Sequence, residues 1–152
     1  MIPAAFDYKR AGSSEEAVAL IAEYGDEAKL LAGGHSLIPM MKLRLAVPTV
    51  LVDIGRVGDL SYIDDRDDHI AIGALATHRS LETSELLISE CPILAHVASK
   101  VGDPQVRHRG TIGGSLAHSD PASDLPAVVL ALGGSLIAQG PNGERGVKVS
   151  DF

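Results

Sequence analysis

Two short glycine pairs flanked by hydroxyl side chains are the residues best suited to chemistry in this chain. The first is Ala32-Gly33-Gly34-His35-Ser36, which follows directly on the apolar run Lys29-Leu30-Leu31-Ala32. Adjacent glycines let the backbone turn sharply and adopt φ > 0. Without Cβ atoms, successive N–H groups can converge on one anion. Ser36 adds a hydroxyl and His35 an imidazole. The second is Gly110-Thr111-Ile112-Gly113-Gly114-Ser115, about 80 residues later, followed by the polar run Ala117 to Asp124. One such pair taken alone reads more readily as a plain strand-end turn, because Gly-Gly pairs are common in turns. Two of them suit a ligand with two phosphates, each cradled by main-chain amides.

Other site chemistries fit less well. A Walker A loop needs a Lys after its glycines, and neither segment has one. A dinucleotide fingerprint needs Gly-x-Gly-x-x-Gly opening a helix; here Leu37-Ile38-Pro39-Met40 follows, and Pro39 weakens a helix at that point. Gly34-His35-Ser36-Leu37-Ile38 approaches a nucleophile elbow but ends in Ile38. A serine hydrolase using Ser36, with Asp103 or Asp120 and His108 or His118, stays open as an alternative. His108, His118 and Asp120 match no standard zinc spacing, so no metal site is assigned. The acidic stretch Asp64, Asp65, Asp67, Asp68 lacks the ligand order of a calcium loop and reads as a solvated hairpin tip.

The elements that must position these segments follow from periodicity. Ser14 to Tyr24 is a helix: Ser13 and Glu16 have capping-box spacing, and Ala17, Leu20, Ile21 and Tyr24 form one apolar stripe. Lys29 to Ala32 and Thr49 to Asp53 are strands. Ser61 to Ile63 and His69 to Ile72 form a hairpin around a turn at Asp64 to Asp68. Thr77 to Leu87 is expected as one helix capped by Thr77, and Pro92 to Val101 as another, ended by Gly102. Asp103 to about Ala122 reads as a long irregular stretch, the kind that is often functional. Leu125 to Leu132 is a helix, Ser135 to Ala138 a strand, Gly140 to Gly143 a turn, and Val147 to Val149 the start of another strand. The fold class is α+β, with a small α/β unit over residues 1–55 and a second α+β unit over 56–152.

Composition narrows the partners. The chain has 152 residues, 45% hydrophobic and 22% charged, which suits a packed core. Aromatics are 3% with no Trp, so that core must be aliphatic. A net charge of −7 argues against nucleic acid or an anionic membrane surface. The single cysteine, Cys91, excludes a four-cysteine cluster within this chain. No apolar stretch is long enough to span a bilayer, and the start has neither a basic nor an apolar signal region, so the cytoplasm is expected.

The segment Ala32-Gly33-Gly34-His35-Ser36-Leu37-Ile38-Pro39-Met40-Met41-Lys42, with Thr111-Ile112-Gly113-Gly114-Ser115-Leu116-Ala117 and Asp120-Pro121-Ala122-Ser123-Asp124-Leu125-Pro126, closely resembles the FAD-binding medium subunit of molybdenum hydroxylases. It is most similar to the carbon monoxide dehydrogenase branch and also to the flavin domain of xanthine dehydrogenase. The resemblance covers nearly the whole chain. It implies an FAD domain of the vanillyl-alcohol-oxidase type (PCMH-type), with FAD between two α+β subdomains. It also implies an oxidoreductase subunit that works in electron transfer. A large molybdopterin-containing subunit would oxidise the substrate, a small subunit with [2Fe-2S] clusters would carry the electrons, and this chain's flavin would pass them to an external acceptor. A stand-alone flavoprotein oxidoreductase of the same fold is the alternative. Carried over by position, Ala32, Gly33, Gly34, His35, Ser36 and Leu37 would contact the pyrophosphate, as would Thr111, Ile112, Gly113, Gly114 and Ser115. Asp124 would meet a ribityl hydroxyl, and Val101 and Gly102 would lie near the cofactor. Ser115 stands where many relatives carry Asn or Asp. Family members run to nearly twice this length, so the C-terminal part of the family fold is expected to be missing here.

Overall fold

A computed structural model describes residues 1–152. The chain opens with a three-stranded parallel sheet. β1 (Asp7–Arg10) and β2 (Ala28–Leu31) both pair with β3 (Val50–Asp53), giving the order β1-β3-β2. The middle strand, Val-Leu-Val-Asp, is the only one with an uninterrupted apolar run. Val50, Leu51 and Val52 are buried accordingly. Between β1 and β2 lies α1 (Ser14–Tyr24). Ser13 Oγ accepts from the Glu16 N–H at 3.2 Å, while the Glu16 carboxylate accepts from the Gly12 N–H at 2.7 Å. Ala17, Leu20, Ile21 and Tyr24 turn onto the sheet as the periodicity requires.

After β2, α2 (Leu37–Lys42) forms despite Pro39. The proline falls in the first turn, where its missing N–H breaks no helical bond. β4 (Ile63–Arg66) and β5 (His69–Ile72) form the expected hairpin, but Asp64 and Asp65 belong to the strand. The turn is only Asp67-Asp68, with Asp67 at φ 54° in the left-handed region that two-residue hairpin turns require. The helix expected over Thr77 to Leu87 is two helices, α3 (His78–Thr83) and α4 (Glu85–Glu90). Ser84 interrupts them and caps the second, accepting from the Leu87 N–H at 3.3 Å. α5 (Pro92–Lys100) follows.

The stretch from Asp103 to Ala122 is not irregular. It holds α6 (Pro104–Arg107), capped by Asp103, and α7 (Ile112–His118), capped by Thr111. α8 (Asp124–Ala131) then leads into the antiparallel pair β6 (Ser135–Gly140) and β7 (Gly143–Lys148). Two apolar clusters result. One joins Ala11, Ala17, Ala28, Val50, Val52, Ile54 and Val57 to Leu75. The other runs from Ala76 through Leu81, Leu87, Leu94 and Ile112 to Leu125. Both are aliphatic. No helix is long and apolar enough to cross a membrane.

Candidate functional site

β2 stops at Leu31 and α2 begins at Leu37, so Ala32 to Ser36 form the corner at the C-terminal end of a parallel sheet, where ligands of such sheets gather. Gly34 sits at φ 79°, a conformation costly for any residue with a Cβ. The first N–H donated inside the new helix is that of Ile38, to the Gly34 carbonyl at 3.0 Å. The six preceding main-chain N–H groups, Ala32 through Leu37, find no backbone or side-chain acceptor anywhere in the protein. A run of free amides entering a helix N-terminus is a ready anion cradle.

The second glycine segment is built differently. The backbone from Ala74 to His78 runs beside it as a strap. The Gly113 N–H donates to the Ala74 carbonyl at 2.9 Å, Ile112 to Ala76 at 3.0 Å, and the His78 N–H to Gly110 at 2.9 Å. Thr77 and Thr111 face each other across this antiparallel bridge. Gly113 is needed for the close approach, since a Cβ there would stand 2.6 Å from the Ala74 Cβ and carbonyl oxygen. Gly113-Gly114-Ser115 is therefore the first turn of α7 rather than a loop, and its amides are committed. Gly114 donates to Thr111 Oγ1 at 3.1 Å and Ser115 to the Thr111 carbonyl at 3.0 Å. The Thr111 N–H is the one that finds no acceptor in the protein.

The fold brings the two segments against each other. An ideal Cβ on Gly33 would lie 2.8 Å from the Arg109 carbonyl carbon and 3.0 Å from Gly110 Cα, so only glycine permits this backbone contact. A cleft of about 330 Å³ opens beside it, lined among others by Ala32, Gly33, Arg56, Thr77, Arg109 and Thr111. Arg56 and Arg109 were not singled out by the glycine motifs. A second hollow of about 250 Å³, among α3, α4 and α5, touches neither glycine segment.

The remaining candidate residues do not line this cleft. His35 and Ser36 are exposed and Leu37 is half-buried. Val101 caps α5, and Gly102 follows at φ 51°. Their carbonyl oxygens accept from Arg107 Nη1 at 3.3 and 3.1 Å, while Arg107 Nε donates to Glu82 Oε2 at 3.2 Å. Arg107 thereby staples the segment ahead of Thr111 onto α3 and the end of α5. The hydrogen bond from Arg79, with the nearby charge of Arg107, holds the Glu82 carboxyl below its usual range. Asp124 opens α8 on an exposed face.

One buried polar group stands out. His78 is 3% exposed, its Nε2 lies against Gly110, and its Nδ1 finds no partner. Burial first, and the charge of His35 second, lower its pKa, so the ring is neutral at pH 7. The Ser36 hydroxyl bonds to no histidine or carboxylate, so no nucleophile–base pair supports the serine-hydrolase alternative. No three His, Cys, Asp or Glu side chains gather as metal ligands.

Comparison with known proteins points the same way. Residues 4–152 match the family model described as the FAD binding domain in molybdopterin dehydrogenase. The chain is 48% identical over 152 residues to the 6-hydroxypseudooxynicotine dehydrogenase complex subunit alpha of Paenarthrobacter nicotinovorans, covering all of this chain and 51% of that one. It is 46% identical to the carbon monoxide dehydrogenase medium chain of Hydrogenophaga pseudoflava, covering 53% of its length. A solved structure of the carbon monoxide dehydrogenase from that organism superposes on the whole chain with a TM-score of 0.98 at 47% identity, again over 53% of the matched chain. The chain thus spans about half the length of these relatives. By sequence and by fold, it belongs to the family of FAD binding domains of molybdopterin dehydrogenases.

Proposed function

We propose that this chain holds FAD for a molybdenum hydroxylase of the carbon monoxide, aldehyde or xanthine dehydrogenase type. The observation that carries this reading is the row of free N–H groups from Ala32 to Leu37, whose first two residues, Ala32 and Gly33, share one cleft with Thr111. Backbone donors of this kind suit a diphosphate, because they need no rearrangement to meet it. Gly33 and Gly34 permit the corner, and Thr111 offers one further amide from the opposite wall. The Gly113 and Gly114 amides serve mainly to fix α7 and hold Thr111 in place. His35, Ser36, Leu37, Ile112, Ser115, Val101, Gly102 and Asp124 complete the proposed cofactor environment, by analogy with the family's positions.

When bound, the flavin supplies the redox chemistry, taking electrons from [2Fe-2S] clusters on a small subunit and delivering them to an external acceptor. The chain's own task is to bind and orient. We assign the molybdenum cofactor and substrate oxidation to a large partner subunit. The relatives named above belong to a carbon monoxide dehydrogenase and a 6-hydroxypseudooxynicotine dehydrogenase, so substrate choice is assigned to that partner. Residues 1–55 and 56–152 are proposed as the two subdomains that embrace the cofactor, each with its own aliphatic cluster and with Val57 and Leu75 of the second joining the cluster of the first. The cytoplasm is proposed as the compartment. The test is the absorption spectrum of the protein purified with its partner subunits. Flavin bands at about 450 nm that bleach when reducing substrate is added support the reading. Purified complex without flavin contradicts it.

A further inference from the structure

We propose that Arg56 and Arg109 form a cationic clamp on the diphosphate of the bound cofactor. The inference rests on the FAD reading above and adds to it two side chains that the glycine motifs do not include. Both arginines line the cleft shared by Ala32, Gly33 and Thr111. They reach it from separate segments. Arg56 follows β3 beside Gly55, whose ideal Cβ would lie 3.9 Å from the Ala32 carbonyl, and Arg109 carries the carbonyl against which Gly33 packs. Neither guanidinium has a carboxylate within ion-pair distance; Arg66, Arg79 and Arg107 do, and Arg10, Arg44 and Arg145, also without one, do not line the cleft. The cleft lining contains no Asp or Glu at all, although the chain carries a net charge of −7.

Those facts have a common physical sense. Main-chain amides carry only partial charges, so they solvate a dianionic diphosphate without neutralising it. A guanidinium brings a full charge in a planar fork matched to phosphate oxygens. An acidic protein repels such a ligand at long range unless its entry is locally positive. Two unpaired arginines at a carboxylate-free cleft supply that local field.

The experiment titrates flavin-free protein with FAD at several salt concentrations, following flavin fluorescence. Wild type is compared with Arg56→Ala, Arg109→Ala, the double variant and the two Arg→Lys variants. Riboflavin, which has no phosphate, is the second probe. Circular dichroism melts confirm folding. Each single alanine variant should weaken FAD binding roughly 5–10-fold at low salt, and the double variant on the order of 30–100-fold. The wild-type salt dependence should flatten in the double variant, and lysine should restore part of the affinity and the salt dependence. Riboflavin binding should not change. Wild type that takes up no FAD overturns the reading of the domain itself. Wild type that binds FAD, with the double variant showing the same affinity and salt dependence, overturns the clamp alone.

Discussion

Replacing Gly33 by alanine should pull the two walls of the cleft apart. The new Cβ would stand 2.8 Å from the Arg109 carbonyl carbon and 3.0 Å from Gly110 Cα. These are main-chain atoms that cannot rotate away as a side chain can. Restoring van der Waals spacing requires the Ala32 to Ser36 corner to retreat by more than about half an ångström, and overpacking of this kind costs roughly 1–3 kcal/mol of stability. Charge-assisted hydrogen bonds are worth about 1.5–3 kcal/mol each. Weakening two of the six free amides therefore removes about 3 kcal/mol of binding, or roughly a 100-fold loss of FAD affinity. Gly34→Ala is the comparison. There the obstacle is the movable end of the Ile38 side chain at 2.8 Å, and the main penalty is φ 79°, worth about 1–2 kcal/mol. It should bind FAD several-fold better than Gly33→Ala. The assay is a fluorescence titration with FAD, with a melt to confirm folding. Folded Gly33→Ala protein whose FAD affinity stays within about threefold of wild type refutes the reasoning.

Other consequences follow from single contacts. Thr111→Val keeps the shape of the side chain but removes the cap that accepts the Gly114 N–H; a loss of about 1 kcal/mol in urea denaturation is expected. Leu81 and Leu125 are fully buried in one cluster, and either changed to alanine should cost about 2–5 kcal/mol. His78 has a lowered pKa in the folded state, so the unfolded chain takes up the proton first as pH falls below about 6.5. Its contribution is therefore neutral above that pH and increasingly destabilising below it, until the folded value is passed. Urea melts between about pH 5 and 7.5 should show stability falling with acid, and less steeply in His78→Leu; equal slopes would contradict the neutral buried ring.

What could be read from the residues alone divides by the range of the interactions involved. α1 was legible because its cap, its stripe and its terminal Gly25 all lie within one short segment. β1 was not, since Asp-Tyr-Lys-Arg has no buried face and becomes a strand only by pairing with β3, some 43 residues away. The break at Ser84 was written in its own capping chemistry, but the surrounding apolar spacing suited one continuous helix. α7 was hidden by Gly113-Gly114, which lower helix propensity; what forms the helix is the Thr111 cap and the strap from Ala74 to His78. The glycine motifs correctly marked two segments that meet. They could not show that the first keeps its amides free while the second has used most of its own. Arg56 and Arg109 were silent in sequence because only the tertiary fold places them at one cleft.

Residue-resolved amide exchange with and without FAD tests the heart of the account. Binding should slow exchange strongly at residues 33–37 and at Thr111, whereas Gly113 and Gly114, already bonded to Ala74 and Thr111, should change little. Saturating FAD that leaves the 33–37 amides exchanging as freely as before would contradict it.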